Sequence, residues 1–196
     1  VNRNGRQIEN IQLAKTTFGN YTNSRVLLKS VTGLSFGKYT FDYTTLTLPY
    51  NDTNDLDHWG YWNGKRTTGL ITQHLNYNNI RTEGLYEQFN TGFTGKDPDI
   101  YYARNCAMTR ITYPTGGHSD IEYEQNTAGY LIDRSLGSIL DITRNTTGFI
   151  PGGMRVRSLT TVSDGVSRTI TYEYLNGTSR TSSSGILMKM PRYAFS

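Results

Sequence analysis

The residues with the most obvious chemical potential sit in one run, Asp57-His58-Trp59-Gly60-Tyr61-Trp62-Asn63-Gly64. Aromatic rings flanked by a few polar side chains are what a carbohydrate site needs: a platform for a sugar ring and hydrogen bonds for its hydroxyls. Trp59, Tyr61 and Trp62 would supply the platform, and Asp57, His58 and Asn63 the hydrogen bonds. The competing role is structural, with the large rings pinning a long loop to the fold, because such rings are usually buried. Just before it, Asn51-Asp52-Thr53-Asn54-Asp55-Leu56-Asp57 is rich in oxygen donors of the kind calcium takes. Leu56 stands where a ligand or the turn glycine of an EF-hand loop belongs, so the run reads as a solvated turn.

Other candidates fail on spacing. Asp120, Glu122 and Glu124 alternate along one predicted strand, about 6–7 Å apart on one face, which overlaps the carboxylate separations of glycosidases. A row of acids on the wet face of a hairpin explains them as well. His118, Ser119 and Asp120 are consecutive, so in a strand their side chains alternate sides and cannot form a relay of nucleophile, base and orienting acid. Cys106 is the one cysteine, which excludes an internal disulfide; beside Ala107 and Met108 it reads as a small core residue. His58, His74 and His118 lie far apart, with no paired-ligand spacing for zinc. Thr115-Gly116-Gly117 lacks the lysine of a phosphate loop. The sequence calls for no metal, no cofactor and no catalytic residue.

Positioning falls to strands. Among 196 residues there are 15 Tyr, 7 Phe and 20 Gly but only 5 Pro. Thr and aromatic residues favour strands, and Gly favours the turns between them. The net charge is +4, with basic residues interleaved with acids, so no basic stripe could follow a nucleic-acid backbone. No apolar run approaches membrane-spanning length. Absence of an initial Met and of a signal peptide suggests a processed or excised piece.

Strands are expected over 6–18, 25–32 and 38–44, with a turn over 19–24. In Lys38 to Thr44 the rings of Tyr39, Phe41 and Tyr43 share one face, and Lys38, Thr40, Asp42 and Thr44 the other. Residues 49–98 lose this alternation, apart from short strands near Gly69–Thr72. A stretch so long is expected to be ordered by its aromatics, Trp59, Tyr61, Trp62, Tyr77, Tyr86 and Phe89. Asp97 is the expected N-cap, with Pro98 the first position of a short helix running to about Asn105. A hairpin over 108–113 and 118–124 turns at Pro114-Thr115-Gly116-Gly117. A second, over 154–163 and 166–175, turns at Asp164-Gly165, a favoured type I′ pair, with Ile170, Tyr172 and Tyr174 as the apolar face of its second arm. A last strand is expected over Ile186–Met190. The fold class is therefore all-β, with antiparallel sheets packed as a sandwich or open barrel and one short helix. Its expected parts are an N-terminal β segment, 1–105, holding the irregular aromatic loop, and a C-terminal hairpin segment, 106–196, or both as one continuous domain.

Several segments resemble, in order, a family of large secreted or surface proteins of Bacteroidota-type bacteria associated with RHS/YD repeats. They are RVLLKSVT, YTFDY, LDHWGYWNG (Leu56 to Gly64), MTRITYPTGGHSDIEYE (Met108 to Glu124), GGMRVRSL (Gly152 to Leu159), ITYEY (Ile170 to Tyr174) and SSGIL (Ser183 to Leu187). Residues 1–20 lie outside the resemblance. It implies an extracellular or cell-surface segment beside repeats that build β-rich shells or fibres, with neighbouring segments of the same polypeptide as partners. It assigns no catalytic residue. Two functional expectations follow: a non-catalytic structural or interaction segment, or a carbohydrate-binding module built on Trp59, Tyr61 and Trp62 with a glycan as partner. Nucleic acid is excluded from both.

Overall fold

The computed structural model describes residues 9–20, 23–46, 48–50, 53–65, 95–133, 141–177 and 182–188, without the side chains of 133 and 141–148. Its elements are strands β1 (Gln12–Phe18), β2 (Arg25–Gly33), β3 (Gly37–Tyr43), β4 (Met108–Thr112), β5 (His118–Gln125), β6 (Ala128–Asp133), β7 (Asp141–Phe149), β8 (Met154–Ser163), β9 (Val166–Thr171) and β10 (Ile186–Leu187), with one helix, α1 (Ile100–Ala103). The protein is all-β and mostly antiparallel, as its Thr, Tyr and Gly content implies. Seven strands form one sheet in the order β1-β2-β3-β4-β5-β8-β9, and three form another in the order β10-β6-β7. β10 runs parallel to β6, and β7 antiparallel to it.

The chain divides into two compact units. The first comprises Val1–Asn51, Arg104–Tyr123 and Val156–Tyr172; the second comprises Asp52–Ala103, Glu124–Arg155 and Glu173–Ser196. The chain passes between the units at Ala103–Arg104, and again within β5 and within β8.

In the first unit, residues opposite one another in a ladder share a face. Leu13 faces Val31, which faces Tyr39. Phe41 faces Ile111, which faces Ser119. Ser119 Oγ lies 2.8 Å from Thr161 Oγ1, and Leu159, two residues before Thr161, faces Ile170. One aromatic and aliphatic face thus runs from β1 to β9. Tyr39 sits between Phe36, 6.0 Å away, and Tyr113, edge-on at 6.0 Å. Tyr39, Phe41, Ile111, Ile121 and Leu159 are only half-buried. The opposite face carries Lys38, Asp42, Arg110, Asp120 and Glu122. Among the described residues, Leu48, Ala107 and Ala128 are the only buried hydrophobic side chains.

Glycine appears where the chain must turn tightly. Asp164 and Gly165 both have positive φ, 51° and 76°, the signature of the type I′ turn expected between β8 and β9.

Several expectations need correction. The helix begins at Ile100, not Pro98. Asp99 caps it by accepting the Tyr101 N–H at 2.9 Å, whereas the Asp97 carbonyl is taken by Asn63. β9 stops at Thr171, short of Leu175. Its apolar residues, together with Tyr172, are exposed, because β9 is the last strand of the sheet. Tyr174 is instead half-buried beneath the Arg155 guanidinium, 4.1 Å from the ring centre. β6 and β7 had no counterpart among the expected strands. β10 spans Ile186–Leu187 only. β1 begins at Gln12, so residues 9–11 of the strand expected over 6–18 lie outside it. The strands expected near Gly69–Thr72, and residues His74, Tyr77, Tyr86, Phe89, Asn51 and Asp52, lie outside the described residues.

Candidate functional site

The run from Leu56 to Asn63 folds back on itself in the second unit. Leu56 and Trp62 form an antiparallel bridge, and the Asp57 N–H donates to the Tyr61 carbonyl at 2.7 Å. Asp57 organises the loop from its centre. Its Oδ1 accepts the N–H of Trp59 at 2.8 Å and of Tyr61 at 2.9 Å. The Asp57 side chain thus does what its residue type favours, satisfying turn amides that a helix or sheet would otherwise satisfy. Asp57 is 4% exposed. Burial pushes its carboxyl up from the usual range, against the pull of the backbone donors and of nearby Lys96.

Asn63 closes the other end and has no exposed surface. Its amide donates to the carbonyls of Gly95 at 2.9 Å and Asp97 at 3.1 Å, and its Oδ1 accepts from the Lys65 N–H at 3.1 Å. Lys96, 2% exposed, completes the link by donating from Nζ to the Asn54 carbonyl at 3.0 Å. Its carbonyl accepts the His58 N–H at 3.2 Å. Burial lowers the Lys96 ammonium from its ordinary value, opposed by Asp55 and Asp57. Burial likewise lowers His58, opposed by Asp97. Residues 54–65 and 95–97 therefore form a polar clasp that holds together the two ends of the intervening stretch.

The rings of this run have different surroundings. Trp62 packs edge-on against Tyr102 with centres 5.0 Å apart, and among the described residues its buried Nε1 has no hydrogen-bond partner. Trp59 is half-buried, edge-on to His58 at 6.0 Å. Tyr61 is 45% exposed. Both Trp59 and Tyr61 lie on Gly152-Gly153. A Cβ on Gly152 would stand 2.6 Å from Asp57 Oδ2 and 2.7 Å from Trp59 Cβ, and one on Gly153 2.8 Å from the Tyr61 ring. Only glycine permits so close an approach. The sequence places all six candidate residues in one loop, and the structure keeps them there. It gives Asp57 and Asn63 structural partners and leaves the Tyr61 ring as the most open surface. Lys96 and the glycine pair escaped the sequence reading; a buried lysine has no signal in composition or spacing.

The row of acids on β5 is engaged across its strands. Arg110 pairs with Asp120, with Nη2 at 2.9 Å from Oδ2. The Ser158 hydroxyl donates to Glu122 at 2.9 Å, and Arg155 Nε to Glu124 at 2.7 Å. Arg110 holds the Asp120 carboxyl below its ordinary range, chiefly through their hydrogen bond. His118 and Asp120 share a face, 3.6 Å apart, while Ser119 is buried on the other with Tyr113 and Thr161. Alternation thus separates the three letters of a triad. Cys106 is half-buried, and burial pushes its thiol up, away from a reactive thiolate. Among the described residues, no group of three His, Cys, Asp or Glu side chains could hold a metal ion. Nor, among them, is any helix long and apolar enough to cross a membrane. No known protein family, curated protein or solved structure matches the chain.

Proposed function

We propose that the chain is a non-catalytic structural segment of a large secreted or cell-surface bacterial protein of the RHS/YD-repeat kind. Its work is to join neighbouring parts of the same polypeptide through the aromatic face of its long sheet. The observation that carries this reading is the one-sidedness of that sheet: rings and aliphatic side chains line one face from β1 to β9 and stay half-exposed. An apolar face of this extent marks a surface that is covered in the working assembly. The polar residues of the Asp57 loop support the same reading, since Asp57, Asn63 and Lys96 are spent on backbone groups.

A second reading, a carbohydrate-binding module, draws support from Tyr61, whose ring is open and lies against Gly153. Tryptophan-fluorescence titration with soluble polysaccharides separates the two. The structural reading expects an unchanged spectrum. A saturable shift that disappears in Tyr61→Ala would contradict it in favour of sugar binding.

A further inference from the structure

The clasp holds two buried groups whose hydrogen-bonding capacity does not match their surroundings. Lys96 is 2% exposed, and lysine is almost never so buried unless paired. Its ammonium carries three donors. Among the described residues Nζ reaches one acceptor, the Asn54 carbonyl at 3.0 Å, and has no ion pair. A buried charge with one neutral partner is costly. Asp57 is 4% exposed. Its Oδ1 accepts the Trp59 and Tyr61 amides, but among the described residues its buried Oδ2 has no hydrogen-bond partner. The two groups share one neighbourhood. Asp55 and Asp57 flank Leu56 in its bridge to Trp62, so their side chains fall on one face of that short ladder. The Asn54 carbonyl that Lys96 binds also accepts the Leu56 N–H, at 2.7 Å. Burial favours a free amine at Lys96, against the charges of Asp55 and Asp57, and it favours a protonated carboxyl at Asp57. Those are the forms that condense.

We propose that Lys96 and Asp57 join in an intramolecular isopeptide bond, which makes the clasp covalent. The lysine's flexible four-carbon stem turns Nζ from the Asn54 carbonyl toward Asp57. The Nζ lone pair attacks Cγ of the protonated carboxyl, and Oδ1, held by two backbone N–H donors, takes up the developing charge. Nζ gives up one proton, which the Asp55 carboxylate carries to the Oδ2 hydroxyl. The Cγ–Oδ2 bond breaks, Oδ2 leaves as water and the carbonyl re-forms at Oδ1, with no oxidant, reductant or co-reactant. Each mismatch is thereby removed. Three ammonium donors become one amide N–H, for the one Asn54 carbonyl. The oxygen that leaves is the one without a partner, and Oδ1 keeps both of its donors. Bulk water would reverse the condensation. Groups held in place in a dry site offset this through effective molarities on the order of 10⁵–10⁸ M. Only molecules with both groups uncharged react, so closure follows folding slowly, and Asp57 titrates as a carboxyl until then. The bond is internal to the clasp and independent of what covers the aromatic face of the sheet, so either proposal can fail alone.

Intact-mass spectrometry of the full chain, refolded and then incubated for days, tests the bond. The expected result is a species lighter by one water that grows until it dominates, at a rate independent of protein concentration, and that survives denaturant. Proteolysis and fragmentation should place the loss in a branched peptide joining Asp57 to Lys96. Lys96→Met and Asp57→Ala should keep their full mass, with far-UV circular dichroism to confirm that each is folded. Should either variant fail to fold, the branched peptide from the unaltered chain decides the matter. An unaltered chain that keeps its full sequence mass would overturn the proposal. So would a loss of ammonia with the branch at Asn63, or a loss of water that persists in Lys96→Met.

Discussion

Asp57 is the residue on which the clasp turns. One carboxylate oxygen holds two backbone amides, and the side chain is almost wholly buried. Asp57→Ala leaves both donors unsatisfied and should destabilise the protein by about 1–3 kcal/mol in urea unfolding. Its pH dependence has a definite sign. Burial raises the folded-state carboxyl above its unfolded value, so the folded state binds the proton more readily. The Asp57 contribution to stability therefore grows as pH falls through the folded value and levels off below the ordinary carboxylate range, about 3.9. Wild type should gain on Asp57→Asn over that window, as read from paired unfolding curves. Asp120 has the opposite sign, because Arg110 lowers it. Its stabilisation is present above the ordinary range and is lost as pH falls through the depressed folded value. The pair is largely exposed, so Arg110→Ala should lower stability only slightly, and that difference should vanish in acid, as read from paired unfolding curves.

Elements in this protein are fixed by turns and close approaches more than by a deep core. Gly152 lets the Asp57 loop lie directly on the residues that lead into β8. Gly152→Ala should therefore cost about 1–3 kcal/mol by overpacking, measured by thermal or urea unfolding. Gly165 adopts a positive φ with open space where a side chain would stand. Gly165→Val is thus penalised only by the backbone, by about 1–2 kcal/mol. The sequence carried these local signals well. Alternation of Tyr39, Phe41 and Tyr43 located β3, and Asp164-Gly165 located the β8–β9 hairpin. β6 and β7 were not legible: AGYLID and DITRNTTGF lack period-two alternation, and their ladder carries a register shift between Ala128 and Tyr130. The helix was misplaced by two residues because Asp97 and Asp99 are equally good caps by type. Which one is used depends on Asn63, thirty-odd residues away, taking the Asp97 carbonyl.

At the scale of the whole molecule, the class of fold was legible because composition and period agree, whereas the role of the aromatic loop was not. Trp59, Tyr61 and Trp62 form the same written pattern whether they face a sugar or a glycine pair, and only Gly152, Gly153 and Tyr102 decide between them. If the half-exposed aromatic face of the sheet is covered by neighbouring parts of a larger polypeptide, as proposed, its rings are shielded there from solvent. Hydroxyl-radical footprinting of Tyr39, Phe41 and Tyr123 reads this cover, in the 196-residue chain alone and in a longer polypeptide of the proposed kind. Strong labelling of these rings is expected in the isolated chain and marked protection in the longer polypeptide. Equal labelling in both would contradict it.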